Sequence, residues 1–104
     1  MITLCIRYTI DSKKLDAFDA YARALRAPIE RCGGSSVAYL LPTKLAGPTN
    51  LALGPIDFPD LATYEQYRAR LAIDPGAVEA LRRVEESGAI LIEDRSFLRR
   101  AINV

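Results

Sequence analysis

Histidine and tryptophan are absent from this sequence, and its 104 residues include only two cysteines and one methionine. Without histidine there can be no Ser-His-Asp triad, no Cys-His pair and no metal or haem held through imidazole. Proton transfer would have to use Asp, Glu, Lys, Tyr or Cys, and a haem iron would need Tyr or Cys as its ligand. Cys5 and Cys32 are too few for a disulfide framework, and they form neither a CxxC pair nor part of a zinc cluster. Cys5 lies in an alternating apolar run and reads as a small buried hydrophobe. A Gly-rich phosphate loop, a Walker lysine motif and a metal-ligand cluster are missing too. No metal and no cofactor is therefore expected.

An excess of charge of either sign is also missing. The 14 Lys and Arg residues against 13 Asp and Glu residues leave a net charge of +1. No basic run exceeds two residues, as at Lys13-Lys14, Arg82-Arg83 and Arg99-Arg100. Phosphate backbones and anionic bilayers select a strong basic excess, so neither nucleic acid nor membrane is an expected partner. No apolar run approaches transmembrane length. The opening residues, Met1 to Arg7, enter a strand pattern without the basic segment and apolar run of a signal peptide. The expected location is the cytoplasm.

Half of the residues are hydrophobic and 26% are charged, which is ordinary globular composition. A chain of this length supports one domain, 1–104, burying roughly two thirds of its unfolded surface. Ile2, Leu4, Ile6, Tyr8 and Ile10 alternate with Thr3, Cys5, Arg7 and Thr9, a period of two that predicts a strand over Ile2–Ile10. Asp11 or Ser12 can cap a helix whose apolar stripe is Leu15, Phe18, Ala22, Leu25 and Ile29. Asp19 can pair with Arg23 one turn on. Pro28 should kink that helix or loosen its last turn, and Gly33-Gly34 should end it.

Ser35–Leu41 reads as a second strand with Val37, Tyr39 and Leu41 on one face. Asn50–Phe58 reads as a third, with Gly54-Pro55 marking a bulge or an edge. Asp60 caps a helical region carrying Leu61, Tyr64, Tyr67 and Leu71, which Asp74-Pro75-Gly76 interrupts and restarts. Gly88 closes it. Ala89–Leu98 is the final predicted strand, with Leu91, Glu93, Arg95 and Phe97 on one face and Ile90, Ile92, Asp94, Ser96 and Leu98 on the other. The order β-α-β-β-α-β is the α+β, ferredoxin-like plan, with helices on one face of an antiparallel sheet. The other face mixes Thr, Cys, Leu, Val and Phe with charged groups. An apolar open face on a small domain marks an interface, so a homodimer pairing sheet to sheet as a barrel is expected.

Six polar side chains are candidates for a ligand pocket: Arg7, Tyr39, Tyr64, Tyr67, Asp94 and Arg95. First and last strands are neighbours in this plan, so Arg7 could meet Glu93 or Asp94, or Arg7 and Arg95 could hold an anionic group through planar donors. The bland alternative is a cross-strand ion pair or a dimer contact. The tyrosines combine apolar bulk with a hydroxyl, and Tyr64 and Tyr67 can reach one cavity from one helix face. Core filling is the alternative. Asp94 could act as a base if desolvation raised its pKa.

Several stretches resemble the NIPSNAP-like proteins of bacteria: Tyr8 through Phe18, Arg31-Cys32-Gly33-Gly34, Tyr39-Leu40-Leu41-Pro42, Phe58 through Arg68 and Glu93 through Arg99. They cover almost the whole chain in order. The resemblance implies membership of the wider dimeric α+β barrel group, which includes cofactor-independent monooxygenases, isomerases and haem enzymes. Two departures stand out. Ile6 occupies the place two residues before the first-strand tyrosine where many members carry arginine, and the 43–49 loop is longer than usual. The resemblance carries no catalytic residue set, and catalytic residues stay unknown at this point. Two functions remain open. One is a dimer binding a small molecule or protein partner; the other is a cofactor-independent monooxygenase or isomerase acting on a small aromatic or carbonyl compound.

Overall fold

Strict alternation in the first segment places it at the centre of the sheet. In the computed structural model, which describes residues 1–101, strand β1 spans Ile2–Ile10 and buries Leu4, Ile6, Tyr8 and Ile10 on one face. It is flanked by two antiparallel partners, β2 (Leu51–Phe58) and β3 (Ile90–Leu98), in the order β2-β1-β3. Helix α1 covers Leu15–Cys32, α2 covers Leu61–Leu71 and α3 covers Pro75–Ser87. Phe18, Leu25 and Ile29 of α1 meet Leu4, Ile10, Ile56 and Phe58 of the sheet in one core. The α+β plan of an antiparallel sheet with helices on one face is therefore observed.

Capping follows the expected residues. Asp11 accepts from the Lys13 amide and opens a short 3-10 turn ahead of α1. The Asp60 carboxylate accepts from Thr63 at the start of α2; Asp74, expected only as part of the break between the two helices, also caps α3 by accepting from Ala77, with Pro75 in the first turn. Gly88 closes α3 at φ 70°, a conformation that glycine adopts without a steric penalty. Pro28 is buried inside α1, which nonetheless continues to Cys32.

Two expectations need correcting. Ser35–Leu41 is not a strand but a segment bridged to β2 at two points, Ser35 with Asp57 and Leu40 with Leu53. Leu53 and Asp57 exchange both backbone bonds with that segment. Between them Pro55 has no N–H and offers only its carbonyl to Ala38. Between the two bridges the segment has four residues against three on β2, and Ser36 takes up the excess at φ 51°. The fourth strand of the ferredoxin-like plan is thus reduced to a bulged edge. The second correction lies in β3, where a register shift pairs Ile90 with Ile10 but Ile92 with Thr9. Ile90 consequently joins the helix-facing residues instead of the open face.

The helices do not share the sheet evenly. α1 and α2 pack together, α2 also reaches β2, and α3 packs on α1. β3 stays bare: Ile90 is half-buried and the eight residues after it are exposed.

Candidate functional site

Where the helices stop short of β3, the space between the two layers opens into a cavity of about 910 Å³. Its floor is apolar and comes from Leu4, Ile6, Leu25, Ile29 and Ile56. Five tyrosines wall it: Tyr8 of β1, Tyr21 of α1, Tyr39 of the bridged segment, and Tyr64 and Tyr67 of α2. Tyr8 is wedged edge-on against Phe18, with ring centroids 4.9 Å apart. Tyr39 lies over Gly54, where an added Cβ would come within 2.8 Å of its ring. That close approach explains a glycine inside β2 and lets the Tyr39 hydroxyl reach the Tyr8 hydroxyl at 3.3 Å.

At the open side stand Glu93 and Arg95, which share a face of β3 with Tyr8 and Ile6 across the ladder. Arg95 donates from Nε (3.1 Å) and Nη2 (2.9 Å) to the single oxygen Oε2 of Glu93. Burial works against the guanidinium charge, and Glu93 outweighs it, so the arginine pKa is raised. Burial, reinforced by neighbouring phenols, also lifts Tyr8, Tyr21 and Tyr67 well above the ordinary phenol range, and burial lifts Tyr39 as well. These four hydroxyls stay protonated at neutral pH and act as hydrogen-bond donors. Among the described residues, no sealed-off polar side-chain atom lacks a partner. The hydroxyls of Tyr21, Tyr64 and Tyr67 therefore remain accessible, and all three residues line the cavity.

The six candidates from sequence fall into two groups on opposite faces of the sheet. Tyr39, Tyr64, Tyr67 and Arg95 line the cavity together. Arg7 and Asp94 sit across from each other on the open face, through which the cavity does not pass. The idea that Arg7 and Arg95 grip one anion within a subunit is thus overturned, because successive strand positions point to opposite faces. Asp94 is exposed, so the desolvation that a base would need is absent in the subunit. Tyr8, Tyr21 and Glu93 complete the site and were not among the six. Tyr21 stands three residues after Phe18 and four before Leu25, a helical spacing that already placed it on the core stripe.

A second polar cluster is structural. Arg31 at the end of α1 makes two 2.7 Å bonds to Asp74, which at the same time caps α3. These bonds from Arg31 hold the Asp74 carboxyl down at about 2. Cys32 lies 3.9 Å from the same carboxylate, and burial pushes its thiol pKa up, away from nucleophilic use. Among the described residues, no group of three Cys, Asp or Glu side chains is placed to hold a metal ion. No helix among them is long and apolar enough to cross a membrane.

An antiparallel sheet roofed on one side, with a tyrosine-walled cavity beside its bare strand, defines a small α+β class of protein. Comparison with known proteins narrows that class. The chain belongs to the NIPSNAP family, whose model matches residues 3–102. A crystal structure of a NIPSNAP family protein of unknown function from Agrobacterium tumefaciens is similar at 18% identity. It aligns over 100% of this chain and 91% of that one, with a TM-score of 0.81. An uncharacterised NIPSNAP domain protein from Burkholderia xenovorans is similar at 19% identity over 100% and 98% of the two chains, with a TM-score of 0.78. An antibiotic biosynthesis monooxygenase shares the fold at 8% identity over 97% and 99%, with a TM-score of 0.69. No curated protein matches the chain.

Proposed function

We propose that this protein is a homodimer that binds a small organic molecule in the cavity between its sheet and its helices. The cavity itself carries the reading. About 910 Å³ of open space falls within the roughly 300–1,000 Å³ of ligand sites, and a core packed for stability alone would fill it with side chains. The protonated tyrosines favour holding a ligand oxygen over abstracting a proton.

Pairing is supported by the opposite face of the sheet, where Leu40, Ile92 and Leu98 are each 54% exposed. Arg7 and Asp94 face each other there. A two-fold-related copy would present the same charged pair and the same apolar residues in self-complementary form. The outer edge of β3 also offers unpaired backbone groups to a partner.

A second reading makes the cavity the site of a cofactor-independent monooxygenase or isomerase acting on a small aromatic or carbonyl compound. The hydrogen-bonded hydroxyls of Tyr8 and Tyr39, which could stabilise charge developing on a substrate oxygen, favour it. The shared fold with an antibiotic biosynthesis monooxygenase is compatible with this reading, although a fold does not dictate chemistry.

A thermal-shift screen of aromatic and carbonyl compounds tests the binding reading, since a ligand that binds only the folded form raises Tm. Hits should lose their shift in Leu81→Trp, which places an indole at the cavity lining where Leu81 is 46% exposed. No shift with any compound, or shifts untouched by Leu81→Trp, would overturn it. Sedimentation should report a dimer at micromolar concentration and a lighter species for Arg7→Glu.

A further inference from the structure

Arg95, at the open side of the cavity, has donors to spare, and that bears on what fits inside. The hydroxyls of Tyr21, Tyr64 and Tyr67 and the Tyr8–Tyr39 pair can donate or accept, whereas Arg95 can only donate. Only Nε and Nη2 of Arg95 are engaged, and both converge on one Glu93 oxygen. Among the described residues, its Nη1 hydrogens and one Nη2 hydrogen have no protein acceptor. On the acceptor side at this end is Glu93, whose charge Arg95 already balances across 2.9 Å. Arg68 of α2 and Glu85 of α3 also line the cavity, one of each sign. The two side chains on β3 keep 51% and 32% of their exposure, enough for an incoming group to reach them.

From this arrangement we infer that the ligand is an amphipathic acid: an apolar or aromatic body on the aliphatic floor, ending in one anionic oxygen group received by Arg95 and the tyrosine hydroxyls. The inference rests on the cavity being a small-molecule site and narrows the ligand's class. A planar guanidinium with a free edge matches a carboxylate or an enolate, and an anion between neutral phenols and Arg95 keeps all of its oxygens hydrogen-bonded. A cationic ligand fits less well. Arg95 already balances the Glu93 charge, which leaves only the Glu93 Oε1 to receive a cation, with the guanidinium close by to oppose it.

Three probes with one body separate the possibilities: 2-naphthylacetate, 2-(2-naphthyl)ethanol and 2-(2-naphthyl)ethylamine, titrated by calorimetry. Nile red, a neutral apolar dye, serves as an independent reporter of the cavity. The acid should bind about tenfold or more tighter than the alcohol, the range a hydrogen bond to a charged group supplies. Arg95→Gln should erase that preference while Nile red still binds, and Arg95→Lys should retain part of it.

Alcohol or amine binding as tightly as the acid would overturn the acid assignment and leave the small-molecule reading standing. An acid preference that survives Arg95→Gln would overturn the role of Arg95. If no probe binds and Nile red fluorescence is the same with Leu81→Trp as with the natural sequence, both readings fall together.

Discussion

β2 and β3 flank the same central strand with the same antiparallel geometry, yet one is sealed and the other is bare. On β2, Ala52, Gly54, Ile56, Asp57 and Phe58 are buried, whereas eight consecutive residues of β3 are exposed. Composition does not account for the difference, because Leu91, Ile92, Phe97 and Leu98 are as apolar as anything on β2. Helix placement does. α2 lies against β2, while α3 turns its apolar stripe of Ala77, Ala80 and Val84 towards α1. A strand left without a roof keeps its side chains accessible on both faces, as the proposed ligand site and the proposed pairing each require. In this molecule the covered half and the bare half meet along β1.

The largest expected effect comes from removing an aromatic ring from each side. Phe58 is fully buried against Tyr64 and Tyr67, so Phe58→Ala should destabilise the domain by about 3–5 kcal/mol. Phe97 is 46% exposed and keeps one edge-on contact with Tyr64 at 4.9 Å, so Phe97→Ala should lose only about 1 kcal/mol. Urea unfolding followed by circular dichroism measures both. Equal losses would mean that β3 is covered after all and would remove the contrast.

Next in size is Gly54→Ala. The new Cβ would meet the Tyr39 ring at 2.8 Å, and such overpacking should destabilise by about 1–3 kcal/mol. Because the strain is local to that pair, adding Tyr39→Ala to Gly54→Ala should cost less than Tyr39→Ala does alone. A double-mutant cycle isolates the coupling. Additive effects would show that Gly54 serves β2 itself and not the tyrosine above it.

Much of the fold, though not this contrast, was legible in the residues. The alternation of β1, the cap at Asp60, the break at Asp74-Pro75-Gly76, the stop at Gly88 and the shared cavity of Tyr64 and Tyr67 follow from local chemistry that tertiary structure leaves intact. Ser35–Leu41 misled because its alternation is genuine. What breaks it is the proline of its neighbour, a non-local event invisible within the segment. Arg7 and Arg95 misled in a related way. Knowing that two strands are adjacent does not supply their register, and register alone decides which face each residue takes. The direction in which α3 packs was likewise beyond reach, since its stripe would suit β3 as well as α1.

The smallest expected effect concerns the tie that holds α3 to α1. The Asp74 carboxyl lies at about 2 in the folded chain, against an ordinary 3.8, chiefly through its hydrogen bonds from Arg31. A depressed folded-state pKa stabilises the fold above the unfolded value, and that stability is lost as pH falls through the folded one. Asp74→Asn keeps an N-cap oxygen but gives up the charge that Arg31 grips. Tm of the natural sequence should therefore exceed that of Asp74→Asn at pH 6, and the gap should close between about pH 4 and pH 2. Glu79, also held at about 2 by Arg82 and Arg83, titrates in the same window. It does so in both proteins, so the difference between the two melting curves cancels it. A gap that stays constant from pH 6 to pH 2 would mean that α3 is held over α1 by its apolar stripe alone. The bare state of β3 would then be a matter of shape and not of charge.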